Sequence, residues 1–265
     1  MPTRELFETQ EVFTRDELKD HLSKDGKTGS LKELIQYHLG EGNIGQVKKG
    51  LFYSVEAEFS PDNQPVDSFL IASKATDDAV LGYYTALDLM GHAHSVMHRY
   101  YFLTLKAKNH EKFEFRGNEY VPVQVSKKLL DRELVKLGVR QYDRKGEMID
   151  VTTLERTLVD VLDRPQYGGG WEQIWRSFEG VGYLQIENII EYVRALDNAT
   201  TAAKVGYFLE DNLDTISVEE KKLVELEKMK PKQRHYMERD SANGKLVSRW
   251  NLIVPEYILK RGWQE

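Results

Sequence analysis

The chain contains no cysteine among its 265 residues. Disulfide frameworks, thiolate zinc sites and cysteine nucleophiles are thereby excluded, and the absence agrees with a reducing compartment. There is no run of 18 apolar residues, so no transmembrane helix is expected. The opening MPTRELFETQEVF lacks an apolar core, so no signal peptide is expected either, and a cytoplasmic location follows. Excess positive charge is also missing. A formal net charge of −6 rules out a wholesale polycation. Present instead are 40% apolar and 30% charged residues, an ordinary composition for a soluble chain long enough to bury two cores.

The stretch from Thr28 to Val55 organises the N-terminal part. Ser30 is placed to cap a helix, with Glu33 at the capping-box position, three residues on. Leu31, Leu34, Ile35 and Leu39 form its apolar face, with Tyr37 at the edge, while Lys32 and Gln36 fall on other faces. Gly40 and Gly42 end the helix. Two β-type runs follow, Asn43–Val47 and Leu51–Val55, joined by Lys48-Lys49-Gly50 as a positively charged hairpin tip. A helix with outward polar residues beside a basic-tipped hairpin suits a DNA duplex, because the helix fits the major groove and the lysines can neutralise phosphates. It equally suits a small α+β domain with no such task.

Upstream, Thr3–Gln10 predicts a short helix, and Thr14 with Glu17 forms a capping box opening the helix Arg15–Ser23. The resulting order of three helices and a hairpin in under 60 residues is that of a winged helix-turn-helix. Residues 1–56 hold 8 Lys/Arg against 10 Asp/Glu, so few phosphate contacts and a shallow salt dependence are expected. Residues 59–66, with two prolines, read as a linker. The expectation is an α+β protein: a winged helix-turn-helix over 1–58, then a larger mixed α/β domain over 67–265.

In that larger part a helix is predicted over Asp78–Met90, capped by Thr76 or Asp77. The segment 99–150 alternates in a β-rich manner and carries 12 Lys/Arg against 8 Asp/Glu, either a basic patch or solvated strand faces. Thr152, with Glu155, is expected to cap a helix with a Leu154, Leu158, Val161 and Leu162 stripe and an i,i+4 pair between Arg156 and Asp160. Helices follow over Trp171–Phe178, Ile186–Leu196, Thr201–Glu210, Ser217–Met229 and Pro255–Trp263. Asn243-Gly244 marks a hairpin.

Three features invite chemistry, and each has a plainer reading. His92, His94 and His98 are close enough to suggest a metal, but they sit at a turn and no HExxH is present. Gly168–Gly170 lead into Trp171 rather than Lys-Ser/Thr, which is not a phosphate-binding P-loop. Glu155, Asp160 and Asp163 are acids that a metal-dependent nuclease would need, on what reads as a charge-paired core helix. Lys228, Lys230, Lys232 and Arg234 form a basic run, either solvated or nucleic-acid binding.

Taken together, VFTRDELKDHL, NIGQVKKGLFY, DSFLIASKATDDAVLGYYTAL and VTTLERTLVDVLDRPQYGGG resemble, in order, the AbiEi family of antitoxins and transcriptional regulators of bacterial phage-defence operons. The resemblance runs from about residue 10 to about residue 215. It implies a non-enzymatic repressor, without cofactor or metal, that binds inverted repeats of double-stranded DNA in its own promoter. It also implies a C-terminal antitoxin domain opposing a nucleotidyltransferase-like toxin without a stable complex. Many members carry Arg-Arg-Gly at the wing; Lys48-Lys49-Gly50 here keeps the charge but loses the bidentate fork of arginine. The expected DNA-binding residues are Lys32 and Gln36 at base edges, Lys27 and Ser30 near phosphate at the helix N-terminus, and Lys48 and Lys49 on phosphates at the wing. The alternatives are an adaptor that sequesters a toxin directly, or a metal-dependent nuclease in the large domain.

Overall fold

The computed structural model describes residues 2–24, 30–238 and 244–263. The fold is mixed α+β, and no described helix is long and apolar enough to cross a membrane.

The N-terminal unit runs α1 (Pro2–Thr9), β1 (Val12–Thr14), α2 (Arg15–Lys24), α3 (Leu31–Gly40), β2 (Ile44–Lys48) and β3 (Leu51–Ser54). The Thr14 box forms as the sequence predicts: Thr14 N–H donates to Glu17 at 2.6 Å and Glu17 N–H donates back to the Thr14 hydroxyl at 3.2 Å. The three strands order β1-β3-β2, all antiparallel. Successive strand residues face opposite sides, and both sides of this sheet are used. Phe13, Ile44 and Phe52 join Leu6, Leu18 and Ile35 in a small core under the helices. Val12, Leu51 and Tyr53 face the other way, into the core of the larger unit.

That larger unit opens with α4 (Ser68–Ser73), capped by Asp67. A six-stranded mixed sheet follows, built from β4 (Val80–Leu81), β5 (Arg99–Thr104), β6 (Phe113–Phe115), β7 (Asn118–Gln124), β8 (Val139–Arg144) and β9 (Glu147–Thr152). Its order is β6-β7-β5-β4-β9-β8; β5/β7 and β4/β9 are parallel and the other pairs antiparallel. Alternation again divides its faces. Leu81, Phe102, Tyr120, Ile149 and Val151 meet α4 and the N-terminal sheet. Val80, Tyr101, Leu103 and Val123 meet the helical layer. That layer comprises α5 (Tyr83–Leu89), α6 (Lys127–Asp131), α7 (Leu154–Asp163), α8 (Trp171–Phe178), α9 (Ile186–Leu196), α10 (Ala199–Asp211) and α11 (Glu220–Glu227). A last small sheet, β10 (His235–Tyr236), β11 (Gly244–Val247) and β12 (Leu252–Pro255), precedes α12 (Glu256–Leu259).

Several local expectations need correction, among them the last helix, expected over Pro255–Trp263 and found over Glu256–Leu259. The helix predicted over Asp78–Met90 begins only at Tyr83, because Val80-Leu81 pair with β5 and β9 and Gly82 is extended. The cap of α7 is Thr153, whose hydroxyl accepts from Arg156 N–H; Thr152 is the last residue of β9. The segments flanking Asn243-Gly244, Met237–Arg239 and Val247–Ile253, do not form a hairpin: Met237 N–H donates to the Ile253 carbonyl beside the parallel β10/β12 pair, and β11 pairs antiparallel with β12 from the other side. Arg239 and Asn243 themselves lie outside the described residues. The helix expected over Ser217–Met229 is confined to Glu220–Glu227.

Residues 59–66 connect the units while held against both. Tyr53 donates its hydroxyl to the Pro61 carbonyl at 2.7 Å, and Arg116, in the β6–β7 turn, donates to the carbonyls of Pro61 and Gln64. A second clasp is Lys74. Its ammonium donates to the Val12 carbonyl at 2.7 Å and pairs with Glu17 at 3.0 Å and Glu147 at 2.6 Å. Lys145 to Glu11 at 2.6 Å and Arg144 to Asp67 at 2.8 Å complete the junction.

Candidate functional site

The outward face of α3 is built by anchoring the opposite one. Ile35 is buried, and Leu31 and Leu39 pack beside it. The Ser30 hydroxyl accepts from Glu33 N–H at 3.4 Å, fixing the first turn. This leaves Lys32, Glu33, Gln36 and Tyr37 exposed. Tyr37, expected at the edge of the apolar stripe, is 60% exposed and belongs to the outward face.

The end of α3 is tied by His38. Its ring packs edge-on against Phe7 at 5.0 Å, and its Nδ1 lies 3.1 Å from the Asn43 amide, just before β2. Partial burial holds the imidazole below the ordinary histidine pKa, against the opposing pull of Glu41. A depressed histidine pKa means that the unfolded chain takes up the proton first. The resulting stability is complete above about pH 6.5 and is lost as pH falls through the lower folded-state value. Replacing His38 with Gln is expected to flatten this acid-side decline, as measured by urea midpoints between about pH 7 and pH 5. An unchanged slope would remove His38 as its source.

The hairpin tip separates two lysines that sequence reading treats alike. Lys49 is exposed. Lys48 turns inward: its ammonium donates to the Ala75 carbonyl at 2.8 Å and sits 4.4 Å from the Phe113 ring centre. Burial holds it below the ordinary lysine pKa. A register shift between Gln46 and Lys48 marks a bulge, a feature that re-aims side chains. The phosphate role expected of Lys48 therefore gives way to a docking role between the two units. Lys27, the sixth expected DNA-binding residue, lies outside the described residues. Ser30, Lys32 and Gln36 remain together on α3.

The other sequence candidates disperse. Much of the positive charge of residues 99–150 is locally paired: Arg99 and Lys112 with Glu119, Lys136 with Asp150, Arg144 with Asp67 and Lys145 with Glu11. His98 bonds Asn118 at 3.0 Å. Glu155 accepts from Gln185 N–H, Asp160 pairs with Arg156 inside the core, and Asp163 accepts from Asn198 and Thr201. Among the described residues, no three His, Asp or Glu side chains converge as a metal cage. Sequence reading missed the Lys74 and Arg116 clasps, whose partners lie 52 to 63 positions away in the chain apart from Glu147. No local periodicity encodes such pairs.

No protein-family pattern and no curated protein match this sequence. The fold is similar to the crystal structure of the RV2827C protein from Mycobacterium tuberculosis, at a TM-score of 0.58 and 14% identity, over 96% of this chain and 90% of that one. At that identity the likeness is one of fold alone, and it extends through both units rather than the N-terminal one only.

Proposed function

We propose that the chain is a DNA-binding transcriptional repressor of the AbiEi type, with a winged helix-turn-helix at its N-terminus and an antitoxin role in its larger part. The observation that carries the reading is α3, with Ile35 anchored inside and Lys32, Gln36 and Tyr37 presented outside. In this reading α3 enters the major groove, Lys32 and Gln36 meet base edges, and Ser30 with Lys27 lies near a phosphate. Lys49 takes the phosphate at the wing, and Lys48 holds the wing to the body.

A gel-shift titration at two salt concentrations tests it, using the DNA upstream of this gene and a scrambled control. Gln36→Ala is expected to cost about 1–3 kcal/mol on the cognate probe and to relax preference at one base pair. Lys49→Ala should weaken binding to both probes and lower the salt slope by about one, whereas Lys48→Met should leave that slope unaltered. Equal affinity for both probes in the wild type would overturn the repressor reading. The antitoxin half is tested by growth rescue when the chain is co-expressed with a nucleotidyltransferase-like neighbour from its operon. Failure to rescue overturns that half alone.

A further inference from the structure

A cavity of about 580 Å³ opens between the start of α10 and β10, lined by residues that include Asp163, Thr200, Lys204, Arg234, His235 and Tyr236. Thr200 and Lys204, four residues apart on α10, share one helix face. Lys204 is the unusual member. The residue is only 8% exposed, and among the described residues its ammonium has no side-chain hydrogen bond or ion pair. Its ammonium lies 5.2 Å from the Trp171 ring centre, and the Trp171 indole N–H is itself buried without a partner. An ammonium carries three donors, and this one, shielded on most sides, keeps its donors for the cavity. Burial accordingly holds Lys204 below the ordinary lysine pKa, despite Asp163 and Glu238 nearby.

Asp163 does not relieve it. Its carboxylate accepts from Asn198 at 3.1 Å and from the Thr201 hydroxyl, and it pairs with Arg164 at 3.5 Å. His235 is oriented by the Thr200 hydroxyl at 2.7 Å from its Nδ1. Arg234 and Tyr236 are exposed at the rim. The wall therefore offers an ammonium, a guanidinium and an imidazole beside the already bonded Asp163 carboxylate, with Glu238 close to the ammonium and an aromatic ring beside them.

We propose that this cavity binds a small phosphomonoester dianion, with Lys204 and Arg234 on the phosphate and Tyr236 against the attached organic group. Two cations match a dianion, guanidinium geometry suits phosphate oxygens, and the volume lies within the range of small-molecule sites. The proposal is independent of DNA binding by α3.

Isothermal titration of the full chain with AMP, adenosine and inorganic phosphate tests it. AMP is expected to bind saturably, inorganic phosphate to compete with it, and adenosine to bind at least tenfold more weakly. Lys204→Met should weaken AMP at least tenfold while leaving the thermal midpoint within a few degrees, since the ammonium holds no ion pair among the described residues. Should that variant fail to fold, Arg234→Gln at the exposed rim carries the test, with several-fold weaker binding. Absence of saturable AMP binding, adenosine binding as tightly as AMP, or full affinity in the variants would overturn the proposal.

Discussion

Asp160→Ala is expected to destabilise the protein by about 3–5 kcal/mol, the usual cost of removing one partner from a buried ion pair. Arg156 and Asp160 lie one turn apart on α7, 2% and 6% exposed, with Arg156 Nε 3.3 Å from Asp160 Oδ2. The pair is completed on every side. Arg156 Nη1 donates to the carbonyls of Val135 at 2.9 Å and Leu137 at 2.7 Å, and Tyr192 donates its hydroxyl to Asp160 at 2.7 Å. The guanidinium also stacks 5.0 Å from the Tyr192 ring centre. Burial pushes the Asp160 carboxyl above the ordinary aspartate range, against the pull of Arg156 and Tyr192. Removing the carboxylate leaves a guanidinium in the core with no counter-charge. Urea denaturation should show a lower midpoint at an unaltered slope. The double replacement Arg156→Met with Asp160→Leu should recover much of the loss, because the desolvated charges vanish together. A loss under about 1 kcal/mol for Asp160→Ala would mean that the pair is no more than a surface-like bridge.

Gly206→Ala is expected to be the most damaging small substitution in the helical layer. Gly206 sits inside α10, where alanine would ordinarily gain about 1 kcal/mol of helix propensity. Here a Cβ would lie 2.1 Å from Cζ3 of Trp250. That indole is fully buried, and its N–H donates to Glu210 at 2.6 Å, so the ring is held from both ends. Overpacking of this kind costs about 1–3 kcal/mol, and displacing a buried tryptophan costs more, so the net sign is a loss. The decisive measurement is the same substitution in a Trp250→Leu background. With the ring gone, Gly206→Ala should turn neutral or stabilising. A penalty that persists there would locate the problem in the backbone and not in the ring.

Elements whose signal is local were legible in the sequence. The Thr14–Glu17 box, the Ser30 cap, the span of α9 and the Arg156–Asp160 pair all follow from spacings of three or four residues. Several failures share a cause, which is that a distant partner decided the outcome. Val80, Tyr83, Tyr84 and Leu87 have helical spacing, yet β5 and β9 draw Val80-Leu81 into the sheet. The helix then starts at Tyr83 with its φ at 55°, a costly conformation for a bulky residue that only surrounding packing sustains. Lys48 and Lys49 are chemically identical neighbours, and only the placement of Ala75 and Phe113 tells them apart. Gly244 carries a hairpin signature, but β12 takes up the pairing of both flanking strands.

The N-terminal sheet, pinned by Lys74, Arg116 and Lys145 and lined on its far face by the core of the larger unit, has a mechanical consequence. A reading head on a slack tether is indifferent to small changes in the distance between its sites. If the N-terminal unit reads DNA as proposed, a head clasped into its own body acts as a goniometer. On a duplex, each added base pair between two half-sites turns the second copy by about 34° and moves it about 3.4 Å, carrying its whole bulk around the axis. Two such copies would feel operator spacing through collision or contact of their bodies, so the larger unit would enter the geometry of recognition without touching a base.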